Sequence, residues 1–553
     1  MKELLNKEIN KICKKNRLMG ANVVLFNDEQ IIYSYNYGYA NKGRNIKSTN
    51  DSLYMIGSNT KVMTAICILK LMEEGLLSLE DDVRKFIPEF EVKSTFEYDK
   101  ITIGNLLMHR SGLVGDFFHL ITDKNGDFHD VIKEIKNSYL TAKPGTMFAY
   151  SNVGFTVLGI VVERVTGLTY QECVEKIIAK PLGIEILFLQ SEEDRRPYSD
   201  TVSLCYNKKG KEAEDPLVTL LPAGSNTYMS ITDFVKFGQI FLKRDGSILS
   251  KETLELMEKL ECAESPDRKL MNAGYGLLQN IHDFGEKVGK IWGHGGDTMY
   301  HHSVFYYIPK QNLGVAIFTN SEQAPLATGP MADKAVISYL KDKGVVIEKN
   351  SSEYDYVSVD GEAHLGKYVT GIGVCEIKKN RHGELVAKVK GMSVKMKACK
   401  DGFWLLCPNN LLLQFPPIKK ELKKIRVKFA DYAGEEVVIL EQRDEYNKLQ
   451  GIYGCRYEET DIPDSFRCAC GRYKLVNENI KELKGRGMLQ IKKGMLVVSM
   501  KCLAARGSAY LKTAGNHLAF VQGFGRGTRN DVTLREENGD TYLTWCGLVF
   551  KKV

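Results

Sequence analysis

The chain has 553 residues, 43% of them hydrophobic and 26% charged, with a formal net charge of +7. At roughly 100–200 residues per domain this is too long for one core, so two to four domains are expected. The composition is that of a globular protein. It excludes a membrane span by sequence, because no apolar run approaches the roughly 18 residues that a spanning helix needs.

The opening residues, Met1-Lys2-Glu3-Leu4-Leu5-Asn6-Lys7-Glu8, alternate acidic and basic side chains. They lack the apolar core and small-residue cleavage site of a secretory leader, so a cytoplasmic location is the expectation. Residues 22–26 and 31–39 read as two strands around the turn at Asn27-Asp28-Glu29. Residues 58–77 read as a helix that is apolar on nearly every face, and hence buried, with Gly75 suited to its end. A second apolar helix is predicted over 154–166, closed by Gly167. Ser230-Ile231-Thr232-Asp233 resembles a capping box that opens a helix carrying Phe234, Phe237, Ile240 and Phe241. Residues 302–308 and 313–319 read as paired strands joined at Pro309-Lys310-Gln311-Asn312, followed by a helix from about 322 to 342.

The pattern changes after residue 343. Residues 344–362 are polar and suit a linker. From 363 onward the chain is short alternating runs broken by Gly, Asn and Asp, which reads as all-β. Leu365-Gly366-Lys367-Tyr368 and Cys470-Gly471-Arg472-Tyr473 open two similar stretches, each continuing through a Gly-Met pair at 391–392 and 487–488. Two barrel-like β-rich domains are therefore expected, at 363–447 and 448–553. Residues 331–553 carry 38 Lys and Arg against 27 Asp and Glu. This excess reads as lysine-rich solvated strand faces, and no nucleic-acid-binding motif accompanies it. The 13 cysteines are scattered, and Cys67, Cys173, Cys375, Cys407 and Cys546 sit in apolar runs, as small hydrophobes do in a reducing compartment. Cys468-Ala469-Cys470 has a poor ligand spacing, so no metal site is expected.

The chemistry concentrates at Ser58-Asn59-Thr60-Lys61. A serine three residues before a lysine places a hydroxyl and an amine on one helical face, one turn apart. At a helix start the serine lies beside unpaired N–H groups and the positive end of the dipole. A desolvated lysine there can accept the serine proton. The spacing alone is weak, since Ser338-Tyr339-Leu340-Lys341 repeats it. Order supplies the discrimination, because Tyr150-Ser151-Asn152 and then His294-Gly295-Gly296 follow.

In that order the three motifs resemble those of the penicillin-recognising serine hydrolases, in particular the class C β-lactamase-like branch. The framing segments are similar too. Leu106-Leu107-Met108-His109-Arg110-Ser111-Gly112-Leu113 matches a family stretch, with Arg110 where threonine is usual. Pro144-Gly145 precedes the second motif, Ala223-Gly224-Ser225 runs on to Asp233 and Phe237, and Gly274-Tyr275-Gly276-Leu277 leads into the third. The resemblance covers residues 1–343. It implies an α+β, β-lactamase-like fold, with an antiparallel sheet flanked by helices plus a helical subdomain, ahead of the C-terminal all-β barrels. It also implies roles: Ser58 as nucleophile, Lys61 and Tyr150 as proton carriers, Asn152 and His294 as substrate-positioning groups, and Gly296 with the Asp297 N–H as the close-approach strand and oxyanion donor. His109 is read as a structural residue framing the site. No cofactor is implied, and the expected partner is a small molecule or short peptide.

The histidine at 294 departs from β-lactamases, which commonly carry lysine there. A histidine is mostly neutral at pH 7 and offers no permanent cation to a substrate carboxylate. In the resembled group it is more typical of D-aminopeptidases and esterases. The expectation is thus an acyl-enzyme hydrolase of a small amide, D-amino-acid peptide or ester. A β-lactamase or penicillin-binding D,D-peptidase is one alternative, and a non-catalytic binding or sensing protein on the same fold is another. The loop Gly523-Phe524-Gly525-Arg526-Gly527-Thr528-Arg529 is a candidate to reach the site, as a barrel loop does in three-domain D-aminopeptidases.

Overall fold

A computed structural model describes residues 1–123, 126–215, 221–224, 226–259, 272–279, 282–350, 354–408, 421–477, 485–502, 505–524 and 528–553. The N-terminal part is built on an eight-stranded sheet. Its strands are β1 (Gly20–Phe26), β2 (Ile31–Asn41), β3 (Ile46–Lys47), β4 (Asn272–Ala273), β5 (Leu278–Gln279), β6 (Trp292–Asp297), β7 (His302–Ile308) and β8 (Leu313–Thr319), in the order β3-β2-β1-β8-β7-β6-β5-β4. Every named pairing in it is antiparallel.

The central strand β1 is buried along its whole length, and its side chains divide by period two. Val23 and Leu25 enter a core with Ile9, Met331 and Ala335, from helices α1 (Lys2–Lys15) and α5 (Pro325–Asp342). Val24 and Phe26 enter the larger core on the other face, with α2 (Thr60–Glu73), α3 (Asn152–Thr166) and α4 (Ile231–Lys243). In α2 residues 60–69 and Leu71 are all buried, as the absence of a polar face predicts. Ser151 caps α3, its Oγ accepting from the Gly154 N–H at 2.9 Å, and Gly167 ends it at φ +70°. Ser230 caps α4 by accepting from the Asp233 N–H at 3.0 Å. Phe234 of α4 meets Phe305 and Phe318 edge-on, fastening the helix to β7 and β8.

The strands between Gly366 and Lys552 form two closed, antiparallel eight-stranded barrels. The first runs from Gly366–Thr370 to Lys448–Arg456, the second from Gly471–Leu475 to Leu548–Lys552. The repeated Gly-x-Tyr is the same device in both. Tyr368 Oη donates to the His364 carbonyl at 3.0 Å, and Tyr473 Oη to the Ala469 carbonyl at 2.6 Å. Each tyrosine lies in its barrel core and ties the first strand to the short helical segment before it. One boundary differs from expectation. Lys448–Arg456, which the sequence pattern groups with the second β-rich stretch, closes the first barrel by pairing with both Glu435–Arg443 and Gly366–Thr370. The first barrel also buries an ion pair: Arg426 Nε and Nη2 donate to Glu441 Oε1 at 2.8 and 2.6 Å, both residues being almost wholly inaccessible.

Among the described residues no single helix is long and apolar enough to cross a membrane.

Candidate active site

Ser58 sits in a single 3-10 turn, Gly57–Asn59, that feeds directly into α2. The turn is fixed from several sides. Asn59 Nδ2 donates to Ser303 Oγ at 2.7 Å, and Ser303 Oγ donates to the Ile56 carbonyl at 2.7 Å, fastening the turn to β7. Thr60 Oγ1 donates to the Gly57 carbonyl at 2.9 Å. The Met55 N–H donates to His301 Nδ1 at 2.9 Å, and burial holds that ring neutral, pushing its pKa down to about 3.

Lys61 follows one turn later and has no solvent exposure. Its Nζ donates to Ser58 Oγ at 3.0 Å and to the Ala223 carbonyl. That carbonyl belongs to a loop fastened to α2 by Thr64 Oγ1, which donates to the Pro222 carbonyl at 2.7 Å. Lys61 Nζ also lies 5.0 Å from the centre of the Tyr150 ring.

Tyr150 is positioned by stacking on His109, with ring centroids 4.3 Å apart. His109 occupies a left-handed backbone conformation at φ +54°, uncommon for a residue other than glycine. Its Nδ1 accepts from the Ser151 N–H at 3.0 Å, and its carbonyl accepts from the Ala149 N–H at 2.7 Å. Burial, with Lys61 nearby, drives the His109 pKa well below its ordinary value, so the ring is neutral. Asn152 opens α3, and its Nδ2 donates to Asp116 Oδ1 at 2.5 Å. Asp116 is itself buried.

β6 runs past the serine turn at backbone contact. A Cβ on Gly57 would stand 2.9 Å from the Asp297 N, and one on Gly296 would stand 1.9 Å from the Ile56 carbonyl oxygen. The Asp297 side chain turns away, 64% exposed, its Oδ1 bonded to His302 Nδ1 at 2.6 Å, so Asp297 presents only backbone to this side. The His294 ring lies 6.2 Å from that of Tyr150. Its Nδ1 meets the Gly295 carbonyl at 2.5 Å, while Nε2 is buried without a hydrogen-bond partner among the described residues. Burial first, and Lys61 second, lower its pKa to about 4.

The structure thus gathers Ser58, Lys61, Tyr150, Asn152, His294, Gly296 and Asp297 into one place. Sequence reasoning missed the Ala223 carbonyl and Asp116, and gave His109 no direct contact with Tyr150. Neither main-chain acceptor nor long-range partner has a local signature, although Ala223 opens one framing stretch and Asp116 lies just past the end of another. Among the described residues no group of three or more His, Cys, Asp or Glu is arranged to hold a metal.

Both barrels touch the segments that carry these residues. Tyr432 Oη of the first accepts from the Phe148 N–H at 2.9 Å. Asn530 Oδ1 of the second accepts from the Gly115 N–H at 3.3 Å, and the Gly115 carbonyl in turn accepts from the Asn152 N–H at 2.8 Å. The Cys546 carbonyl accepts from the Phe118 N–H at 2.9 Å. In the candidate loop 523–529, Gly525, Arg526 and Gly527 lie outside the described residues, as does Ser225. The flanks of that loop rest on the first barrel: Phe524 packs 5.6 Å from the Tyr432 ring and Arg529 pairs with Glu435 at 2.6 Å.

A family model described as Beta-lactamase matches residues 5–336, more than half of the chain. The chain belongs to the Beta-lactamase family. Among curated relatives of this family member, Protein flp from Staphylococcus aureus (strain N315) is 33% identical over 180 residues, 32% of this chain and 36% of the relative. The chain therefore spans about a third of that protein's length. Of solved structures, SurE superposes with a TM-score of 0.58 at 20% identity, over 81% of this chain and 98% of its own. A D-stereospecific amidohydrolase from Streptomyces sp. superposes with a TM-score of 0.50 at 22% identity, over 61% and 98%. At these identities the structural likeness speaks for the β-lactamase-like fold.

Proposed function

We propose that this Beta-lactamase-family chain is a serine hydrolase that forms an acyl-enzyme on Ser58, acting on a small amide, a D-amino-acid peptide or an ester. The observation that carries the reading is the Lys61 to Ser58 hydrogen bond of 3.0 Å, made by a lysine with no access to water. Burial removes the solvation that favours an ammonium, and in its amine form Lys61 Nζ accepts the Ser58 proton as Oγ bonds to the substrate carbonyl carbon. The negative charge that gathers on the carbonyl oxygen falls to the N–H groups of Ser58 and Asp297, preorganised by the contact of β6 with the serine turn. As the bond to the leaving group breaks, the Tyr150 phenol supplies its proton and is restored from Lys61. Water then attacks the Ser58 ester by the reverse relay, releasing the acid and returning the proton to Ser58. Asn152, oriented by Asp116, offers its carbonyl oxygen and remaining N–H to the substrate amide.

His294 bears on the substrate. With a pKa near 4 it is neutral through the physiological range, so β6 supplies no cation for a substrate carboxylate. This favours amide, peptide or ester substrates over β-lactams and C-terminal carboxylates. The similar structure of a D-stereospecific amidohydrolase points the same way for stereochemistry.

The test is labelling with a fluorophosphonate and with a fluorescent penicillin, followed by peptide mass spectrometry. A covalent adduct on Ser58, absent in Ser58→Ala, is expected. Folded protein that takes neither label would remove this reading and leave the binding-protein alternative. A panel of D- and L-amino-acid amides, p-nitrophenyl esters and a chromogenic cephalosporin then ranks the substrates. Turnover of the cephalosporin above the D-amides would favour the β-lactamase alternative.

A further inference from the structure

A cleft of about 1760 Å³ lies where the outer face of the second barrel meets the Thr370–Gly373 turn of the first. Among the described residues none before Thr370 lines it, so it is separate from the Ser58 site. Its walls carry Lys390, Arg472, Lys474, Arg486 and Lys501, and among the described lining residues there is no aspartate or glutamate side chain. All five cations are exposed, and none of them forms an ion pair among the described residues.

Their arrangement is set by strand register. Lys474 is paired directly with Arg486, and Arg486 directly with Lys501, across three neighbouring strands. Arg472 lies two residues before Lys474, on the same face. With strands about 4.8 Å apart, the three paired cations form a row about 10 Å long. Like charges set directly opposite each other destabilise a sheet. The barrel carries that repulsion twice in succession, and a bound anion would relieve it. The first barrel adds Lys390, making a trough in which every charged side chain among the described lining residues is a cation, of the kind that focuses the field on an oppositely charged ligand.

We propose that this trough binds a flexible linear polyanion, a polymer of repeating phosphate charges without bases. The volume exceeds the roughly 300–1,000 Å³ of small-molecule pockets, which suits a length of chain over a single small anion. The concave shape suits a strand better than a flat lipid surface. The successive aromatic platforms that stack single-stranded nucleic acid are missing among the described lining residues, where Tyr473 is buried in the barrel core and Tyr510 is half-buried.

Full-length protein titrated into end-labelled long-chain inorganic polyphosphate, read by fluorescence anisotropy over a salt series, tests this. Five phosphate contacts predict a log–log salt slope of about −3.5, or a loss of about 100-fold in affinity between roughly 50 and 200 mM salt. The triple variant Lys474→Ala, Arg486→Ala, Lys501→Ala should retain a slope of only about −1.4 and melt no lower than the wild type, since it removes repulsion. Ser58→Ala should bind as the wild type does. Absence of binding at the lowest salt, or a slope unchanged in the triple variant, overturns the proposal. Tighter binding of oligothymidylate or of phosphatidylglycerol vesicles through the same three residues overturns it in favour of a nucleic acid or a membrane.

Discussion

Gly296 shows how little room the serine turn leaves. A methyl group there would stand 1.9 Å from the Ile56 carbonyl oxygen and 2.3 Å from Ser303 Oγ. The first clash is with backbone, which cannot rotate away as a side chain can, so Gly296→Ala must push β6 off the turn. The proposed oxyanion donor at Asp297 moves with it. Losing one such donor costs about 10²–10³ in rate, and a fall of that size in the fluorophosphonate labelling rate of Ser58 is expected while the melting temperature changes little. Wild-type labelling by Gly296→Ala would show that the Asp297 N–H takes no part. His294, on the same strand, illustrates a different logic. The ring is neutral at physiological pH, because burial keeps charge off it.

At the scale of elements, α3 is steered by a charged clasp. His129, in the turn Phe128–Asp130, lies between Asp127 and Glu163 of α3. The hydrogen bond to Glu163, the largest cause, and that to Asp127 raise its pKa to about 9. A histidine with a raised folded pKa contributes stability that is complete below its unfolded value near 6.5 and is lost as pH climbs through 9. His129→Gln should therefore melt below the wild type at pH 6 and converge with it at pH 10. The ring is 45% exposed, so screening limits the difference to about 1 kcal/mol. Thermal melts across that range check both the sign and the window. The same scale shows what the sequence discloses. The 302–308 and 313–319 strands, the all-apolar α2 and the glycine stop of α3 are legible because period and cap are local. The fate of Lys448–Arg456 is not, because Asp444-Glu445-Tyr446-Asn447 reads equally well as a hairpin or a boundary, and barrel closure is decided by Gly366–Thr370, some 80 residues away. Asp116 escapes for a similar reason: its partner Asn152 is 36 residues distant. The three motifs were legible as a set because chemistry restricts their residue types wherever the chain places them.

For the whole molecule, one route from the second barrel to the site runs through the peptide unit of Gly115. The Gly115 N–H is held by Asn530 and the Gly115 carbonyl holds the start of α3, where Asn152 meets its substrate under the proposed function. Asn530→Ala leaves that buried N–H unsatisfied, at a cost of about 1–3 kcal/mol. A drop of about 10-fold in acylation rate corresponds to ~1.4 kcal/mol and is expected well below the melting temperature, with barrel circular dichroism unchanged. An unaltered rate would reduce the barrel contact to simple docking.

The position of β1 has a consequence for how the chain is made. Its neighbours are β2, which follows at once, and β8, where Ala21 pairs with Thr319. Nearly 300 residues must leave the ribosome before the centre of the sheet can close and α2, apolar on every side, gains its cover. Such distant pairings slow folding and expose apolar surface meanwhile. The barrels, assembled from successive hairpins, face a much shorter wait. A nascent chain halted before residue 292 has Ser58 and Lys61 three residues apart, yet no β6 against which to set them.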